Sequence, residues 1–445
     1  MTRIMVLGYE LPLLAQGAVA ARSYRTWQLV QPLLDDGHEL LLCVPGDHNS
    51  ERGEHPLGEK LLYRRLRYGR PGWVRQLSRW HDAFHPQGIL AVMYGNAVRA
   101  TRLDTDAPIW VDLYGDRLVE EQLCLLSWGE SSRGWYRQVR EMGHILRMAD
   151  VFSTCGQPQR FSTIGQLARV GRLNAYTVRY EFVHSIVPGV CVHEGPQASL
   201  ADRKGLRQRV GLPTDSNAYV VLWCGGYNVW ADVETLFHGL EWAMKERPNL
   251  HFLSIGDAAN VPNNKTYDRF LNMIEQSAYR ERFRMMGWVP ASQVPDYYHL
   301  SDVGINVDLN CYETELGTRT RIVEMICHGL PVITTLGCEL SGTIEEHRLG
   351  MAFPIGDASA FRDCLVAMSQ SADLRREFAE RARDYARGHL AFGVTTAPLR
   401  AWGRSPWHAP DKLMPKDSLV QKAVSIARFL ARSMLWRFWG LERSD

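Results

Sequence analysis

Residues 313–335 read ETELGTRTRIVEMICHGLPVITT, and they carry the strongest pattern in the chain. A loop with two carboxylates and a glycine leads into a segment with helical spacing, which turns through His-Gly-Leu-Pro into an apolar run. This succession is typical of one unit of a parallel α/β sheet. The amide groups at the start of such a helix favour an anionic ligand, because the helix dipole is positive there.

Short apolar runs alternate with longer amphipathic segments on both sides of this stretch, which predicts an α/β fold with mostly parallel sheets. The clearest helix is expected over 18–35, with Gly37 as its stop signal. The predicted strands are 4–8, 39–44, 61–66, 89–93, 109–113, 151–155 and 180–187 in the first half, and 219–224, 250–255, 283–286, 303–307, 331–335 and 351–354 in the second.

The chain has 445 residues, which is too long for one ordinary hydrophobic core and favours two domains. The periodicity breaks between about 190 and 215, at Pro-Gly pairs and a charged stretch. We therefore predict a first Rossmann-like domain over 1–195, a second over 196–395, and a tail over 396–445.

The tail contains an amphipathic helix, expected over 418–441, with one basic face and one apolar face. The apolar face either packs on the first domain, or the helix lies on an anionic membrane surface. Both alternatives remain open at this point.

The composition narrows the class of protein. A formal net charge of +2 gives no overall field that would favour nucleic acid. The nine cysteines are scattered without a Cys-x-x-Cys pair, which favours free thiols in a reducing compartment. The first residues look like a strand rather than a secretion signal, and no apolar run reaches membrane-spanning length. We expect a cytoplasmic protein, with the inner face of the membrane as the alternative if 418–441 binds lipid.

In open α/β sheets, ligands bind beyond the carboxyl ends of the strands. Gly225 and Gly226 follow the strand over 219–224 and allow a phosphate to approach the backbone. Arg319 and Arg321 lie two residues apart, so on a helix at most one of them points at the same anion, whereas in first-turn geometry both could. Glu324 could accept hydrogen bonds from sugar hydroxyls. For an isolated Arg-x-Arg, the competing interpretation is a surface helix with solvated charges.

The same stretch, with the loop GGYNVWAD over 225–232, resembles the donor-binding segment of glycosyltransferases of GT-B architecture. It is similar to retaining family 4, in a divergent branch where Arg-Thr-Arg opens the helix. The resemblance is good over about 219–357, whereas the first half is similar only in pattern. It implies two Rossmann-like domains facing a cleft, and transfer from a nucleotide diphosphate sugar to a glycan, lipid-linked or small-molecule acceptor. Retention of configuration, with no metal and no cofactor, is also implied.

The resemblance implies a donor site made mostly of residues at strand ends and on the helix that follows. These are Gly17, Gly225, Gly226, Trp230, Gly256, Val289, Glu315, Arg319, Arg321 and Glu324. The main-chain groups at Val289 are expected to meet the nucleobase.

Two departures from the family pattern affect this assignment. The family separates two carboxylates by seven residues, but Leu316 occupies that position before Glu324, so Glu313 or Glu315 takes the first role. Gly226 and Ala231 stand where the family has an arginine and a lysine. The diphosphate is therefore expected to bind the amides of Gly225 and Gly226 together with Arg319 or Arg321.

The catalytic candidates are Asp112, then Asp116, together with Glu313. Asp112 and Asp116 belong to the stretch 112–116, which follows the buried residues 109–111 and which the resemblance implies faces the cleft. The competing interpretation of Asp112 is a cap of the next helix. The missing arginine and lysine also leave a non-catalytic alternative open, in which the protein binds a nucleotide sugar as a sensor or scaffold. Epimerisation is disfavoured, because no His-rich cleft loop supplies an acid and a base.

Overall fold

A computed structural model describes residues 1–12, 20–46, 50–52, 60–68, 71–128, 132–190, 200–214, 217–258 and 265–413. Its chain forms two β-sheets, each with helices on both faces. The predicted α/β class with two parallel sheets is therefore confirmed.

The first sheet uses the strands of the first half. They are β1 (Arg3–Leu7), β2 (Glu39–Pro45), β3 (Ser50–Arg52), β4 (Leu61–Leu66), β5 (Gly88–Val92), β6 (Ile109–Leu113), β7 (Val151–Thr154) and β8 (Val183–Ser185). Their order is β3-β4-β2-β1-β5-β6-β7-β8, and every pairing is parallel except that of β3 with β4. The short edge strand β3 is absent from the sequence prediction, and the strand predicted over 180–187 is shorter.

Six helices accompany this sheet. They are α1 (Ala21–Asp35), α2 (Trp73–Phe84), α3 (Met93–Ala100), α4 (Arg117–Trp128), α5 (Ser132–Met148) and α6 (Gln157–Arg169). Apolar side chains such as Met5 and Ile89 pack under α2, α3 and α5, while Val6 and Leu90 pack under α1. Both faces of the sheet are thus buried, as parallel sheets require.

The second sheet has six strands, all parallel, in the order β11-β10-β9-β12-β13-β14. They are β9 (Tyr219–Cys224), β10 (Leu250–Ile255), β11 (Phe283–Met285), β12 (Val303–Asn306), β13 (Val332–Leu336) and β14 (Gly350–Pro354). Each agrees with its predicted strand to within one residue at either end.

Helices also cover the second sheet, and the last two reach beyond it. They are α7 (Leu200–Arg209), α8 (Val233–Glu246), α9 (Thr266–Gln276), α10 (Val294–Leu300), α11 (Tyr312–Leu316), α12 (Thr320–Cys327), α13 (Glu339–Glu346), α14 (Ala358–Gln370), α15 (Ala372–Tyr385), α16 (Phe392–Thr395) and α17 (Ala397–Arg404).

The chain returns to the first sheet at its end. Trp402 of α17 is fully buried in the core beneath α1. Arg400 forms a bidentate ion pair with Asp36 at the end of α1, with nitrogen–oxygen distances of 2.8 and 2.5 Å. The part of the tail up to 413 therefore packs on the first sheet, while the helix predicted over 418–441 lies outside the described residues.

Strand order identifies where each sheet can bind a ligand. In the first sheet the order reverses between β1 and β5, and in the second between β9 and β12. Ligands of such sheets bind outside the carboxyl ends of the strands at these reversals. Two edges of the molecule are therefore expected to hold substrates.

Candidate active site

The carboxyl ends of the two sheets face each other across a crevice. Tyr114, directly after β6, places its hydroxyl 2.5 Å from Oγ1 of Thr320, the first residue of α12. The amide of Gln157, at the start of α6, donates to Oε2 of Glu339 on α13 at 2.8 Å. These contacts join the first domain to the wall formed by α12 and α13.

The loop after β9 is shaped by close backbone packing. Gly225 has a φ of +100°, and a Cβ placed on Gly256 would lie 2.0 Å from the Gly225 carbonyl oxygen. Only glycine fits at these two positions without a shift of the backbone. The Gly225 amide donates to the Ile255 carbonyl at 2.9 Å. This amide is engaged within the protein, so the geometry does not support the expectation that it grips a diphosphate.

Arg321 lies in the first turn of α12 and points into the crevice wall. Its guanidinium carbon is 4.1 Å from the centre of the Trp223 ring, and its Nη2 donates to the Gly226 carbonyl at 2.8 Å. Its Nη1 is buried without a hydrogen-bond partner among the residues that the structure describes. Burial lowers the pKa of Arg321, and the charge of Asp308 opposes this shift only in part. A buried cation with a free donor is suited to an anionic ligand.

Arg319 has the opposite environment. Its Nε donates to Asp308 at 2.8 Å, and its two terminal nitrogens donate to the two oxygens of Glu313 at 3.0 and 2.8 Å. Asp308 and Glu313 raise the pKa of Arg319 well above its usual value despite burial. The guanidinium is saturated by protein carboxylates, so the geometry favours a structural role over the predicted contact with phosphate. The two arginines have different environments because Arg319 is the extended residue before α12, whereas Arg321 lies within the helix.

Of the two acidic candidates before α12, Glu313 is buried and Glu315 is exposed. Burial raises the pKa of Glu313, and Arg319 partly offsets this effect. Both oxygens of Glu313 hold Arg319, which argues against its predicted catalytic role. The third partner, Asp308, was missed by the sequence prediction, although its position just after β12 fits the strand-end rule.

Glu324 lies one helical turn beyond Arg321 in α12. Burial alone raises its pKa to about 7. Tyr24 of α1 has its pKa raised to about 12 by burial and then by the charge of Glu324. The charge of Glu324 therefore acts on a side chain of the first domain. Nothing in the sequence pattern singles out Tyr24.

The remaining donor candidates are distributed along the same wall. The Trp230 carbonyl accepts from the Leu309 amide at 2.8 Å, which fixes the loop 225–232 beside β12. Val289 follows β11 and packs partly buried on the core. The predicted residue Gly17 lies outside the described residues.

Asp112 at the end of β6 is completely buried. Its two oxygens accept from Arg25 at 2.7 and 3.0 Å and from the Ser153 hydroxyl at 2.7 Å. Arg25 in turn lies 4.8 Å below the Tyr114 ring. The expectation that Asp112 faces the crevice is not supported, because this carboxylate is used to hold Arg25 beneath Tyr114.

The capping role considered for Asp112 belongs instead to Asp116. Its Oδ1 accepts from the Leu118 amide at 3.1 Å at the start of α4, and its Oδ2 accepts from Ser162 and Gln166 at 3.1 and 3.3 Å. Glu120, one turn later, has a pKa raised to about 7 by burial, with Arg117 opposing the shift and Glu313 adding to it. This protonatable group was also missed by the sequence prediction.

Solved structures with this architecture cover nearly the whole chain. Sucrose-phosphate synthase from Thermosynechococcus elongatus is 16% identical, with a TM-score of 0.68 over 91% of this chain and 98% of that chain. Anabaena HepE, solved with UDP and glucose, is 14% identical, with a TM-score of 0.67 over 90% and 99%. WaaG, a glycosyltransferase involved in lipopolysaccharide biosynthesis, is 14% identical, with a TM-score of 0.59 over 89% and 99%. At such identities the likeness concerns the fold.

A family model described as "Glycosyl transferases group 1" matches residues 218–371, from β9 to the end of α14. The chain has the GT-B fold and carries a glycosyltransferase domain over 218–371. This confirms the fold class and the enzyme class predicted from the stretch 313–335, while family 4 and its divergent branch stay predictions. A comparison with curated proteins found no match.

Two further properties concern the described part of the glycosyltransferase. No group of three or more His, Cys, Asp or Glu residues there is arranged to hold a metal ion. No helix there is both long and apolar enough to cross a bilayer. The expected independence from metal stays a prediction, as does the cellular location.

Proposed function

We propose that this glycosyltransferase transfers a sugar from a nucleotide diphosphate sugar to a glycan, lipid-linked or small-molecule acceptor, with retention of configuration. The observation that carries the proposal is the buried, unpartnered Nη1 of Arg321. A guanidinium left with a free donor in a crevice requires a counter-charge, and a diphosphate supplies one with several acceptor oxygens.

The neighbouring side chains suit the other parts of such a donor. In the proposed complex, Glu324, one turn along α12, accepts hydrogen bonds from ribose hydroxyls, and main-chain groups near Val289 contact the base. HepE was solved with UDP-glucose, which makes this donor the first to test. The divergent branch of family 4 remains the proposed subfamily, because the Arg-Thr-Arg triplet opens α12.

The chemistry proposed for the site is attack by the acceptor on the same face as the leaving diphosphate. The donor phosphate assists removal of the acceptor proton, and Arg321 stabilises the charge that develops on the diphosphate. The protein then contributes orientation and charge stabilisation, and no strong base is required. This is consistent with Asp112, whose oxygens are already held by Arg25 and Ser153.

The decisive experiment measures UDP and UDP-glucose binding by calorimetry for the wild type, Arg321→Met and the exposed control Arg376→Met. We expect Arg321→Met to weaken UDP binding at least tenfold, as loss of a charge-assisted hydrogen bond does, while Arg376→Met leaves it unchanged. Other nucleoside diphosphates are tested in parallel, because the base is not specified by Arg321. Equal affinities in the wild type and Arg321→Met would overturn the proposed donor site.

The sensor or scaffold alternative is tested by the same protein. Incubation of the wild type with bound donor and a panel of acceptors should release free nucleoside diphosphate together with a glycosylated product. Tight donor binding without any transfer across the panel would support the non-catalytic alternative.

A further inference from the structure

The second point of strand reversal lies in the first domain, at the carboxyl ends of β1 and β5. Helix α3 begins there, directly after β5. The next strand, β6, leads to Tyr114, which contacts Thr320 across the crevice. Since neighbouring strands are about 4.8 Å apart, the start of α3 lies within roughly two strand spacings of that contact. This edge therefore opens towards the donor-binding wall.

The start of α3 has the properties of an anion site. Its N-cap residue, Val92, offers no side-chain cap, so the first amides of the helix have no such partner. Met93 has a φ of 66°, a strained conformation that is concentrated at functional sites. In the first turn, Gly95 leaves a gap: a Cβ there would lie 3.6 Å from the Tyr9 hydroxyl and 3.7 Å from Nη1 of Arg99.

A fixed guanidinium borders this gap. Nη1 of Arg99 donates to Oδ1 of Asn96 at 2.8 Å, and its guanidinium carbon lies 3.8 Å from the centre of the Tyr68 ring. Nδ2 of Asn96 donates to the carbonyls of Gly8 and Val92 at 3.1 and 3.0 Å. Arg99 is thus held over the helix start by neutral groups, and its charge is available to a ligand.

An unsatisfied hydroxyl points to the kind of ligand. The Tyr68 hydroxyl is buried and has no hydrogen-bond partner within the described ranges. Burial raises the pKa of this phenol, so it remains a neutral donor at physiological pH. On the preceding strand β4, Arg65 is paired with Glu10, yet its Nε is also buried without a partner in the described part of the chain. Buried donors of this kind are costly unless a ligand oxygen satisfies them.

We propose that the start of α3, together with Arg99 and the hydroxyls of Tyr9 and Tyr68, binds an oxyanion carried by the acceptor sugar. A phosphate or a carboxylate supplies the shared chemistry, because each presents several oxygens to a guanidinium and to helix amides. Its role as an acceptor subsite rests on the proposed transferase function. Such an oxyanion site restricts the acceptor to an acidic sugar, whereas the donor interacts with Arg321 on the opposite wall.

The test measures binding to the full chain by calorimetry with the donor site filled by UDP. The probes are inorganic phosphate, glucose 6-phosphate, glucuronate and glucose. We expect at least one charged sugar to bind tenfold or more tightly than glucose, and the preferred probe distinguishes a phosphate from a carboxylate. Equal affinity for glucose and both charged sugars would overturn the proposal.

The variants are Arg99→Met, Tyr68→Phe and Gly95→Val, with Arg102→Met as a control just beyond the same helix. Arg99→Met should weaken binding of the charged probe at least tenfold, and Tyr68→Phe should weaken it about fivefold, because each substitution removes a hydrogen-bond donor to the probe. Gly95→Val should fill the gap and abolish binding, whereas Arg102→Met should change nothing. Tyr68→Phe keeps the ring that Arg99 covers, so it remains informative if Arg99→Met does not fold. Unchanged affinity in both Arg99→Met and Tyr68→Phe would refute the site.

The same titrations separate this inference from the proposed function. If UDP fails to bind, glucose 6-phosphate is titrated without it. Binding that depends on Arg99 would then support the oxyanion site while the donor proposal fails. If UDP binds through Arg321 but the affinity for every charged probe is unchanged in Arg99→Met, the donor proposal stands and the oxyanion site does not.

Discussion

Two arginine clusters lie side by side at the start of α12 and differ in how their charge is balanced. In the closed cluster, Arg319 is surrounded by Asp308 and Glu313, and all its terminal nitrogens are used. In the open cluster, Arg321 lies between the Trp223 ring and the Gly226 carbonyl, and its Nη1 has no partner among the residues described. The same residue type, two positions apart, therefore supports the fold at Arg319 and is available to a ligand at Arg321.

The first domain repeats the closed arrangement on the other side of the crevice. Asp112 and Arg25 form a buried pair beneath Tyr114, and Tyr114 contacts Thr320, which separates Arg319 from Arg321 in sequence. Carboxylates at strand ends thus stabilise both walls at their point of contact. Substitution of one member of such a pair strongly lowers the stability of the protein, because the remaining charge stays buried.

The largest effect is expected in the closed cluster. Arg319→Met should destabilise the protein by about 3–5 kcal/mol, because Asp308 and Glu313 would remain buried without their counter-ion. Urea denaturation measures this loss, with Arg376→Met as the exposed control. If Arg319→Met kept its stability and lost only UDP affinity, the division into a closed and an open cluster would be wrong.

A smaller loss of stability is expected in the loop 225–232, where Gly226 contacts Arg321. Gly256→Ala places a methyl group 2.0 Å from the Gly225 carbonyl oxygen, so the backbone must move. We expect a destabilisation of about 1–3 kcal/mol, typical of overpacking, together with weaker UDP binding as Gly226 shifts away from Arg321. Gly342→Ala, where a Cβ would have open space, is the matched control. Full stability in Gly256→Ala would contradict this packing.

The pH dependence of stability distinguishes Glu324 from the paired carboxylates. Its folded pKa of about 7 exceeds the ordinary value of 4.5, so folding favours the protonated form. The stability that Glu324 contributes is fully present below about pH 4.5 and is lost as the pH rises through 7. The free energy of unfolding of Glu324→Gln minus that of the wild type should therefore increase between pH 5 and pH 8. A difference that is flat with pH would show that Glu324 is already ionised in the folded protein.

Removal of metal ions is expected to have no effect on activity. If Arg321 and the helix amides balance the diphosphate charge, treatment with EDTA should leave the transfer rate and UDP affinity unchanged. Measurement before and after re-addition of Mg²⁺ or Mn²⁺ tests this. Loss of activity with EDTA and recovery with metal would show that the open cluster is insufficient by itself.

Hydrophobic periodicity was enough to predict the architecture of the chain. Alternating apolar and amphipathic segments located all six strands of the second sheet, because parallel strands buried on both faces require continuous apolar runs. The order of loop, helix and turn over 313–335 was also enough to indicate the enzyme class. Edge strand β3 escaped prediction, because three residues carry too little periodicity.

The division of polar residues into those that support the fold and those that are available to substrate depends on contacts between distant parts of the chain. Asp112 and Asp308 both lie at the carboxyl ends of buried strands, and the strand-end rule cannot reveal that Arg25 and Arg319 neutralise them. Arg25 lies 87 positions from Asp112, and a contact at that separation exists only once β6 and α1 have packed together. Local spacing sets the direction of a side chain, whereas its charge balance depends on neighbours that the fold brings from elsewhere in the chain.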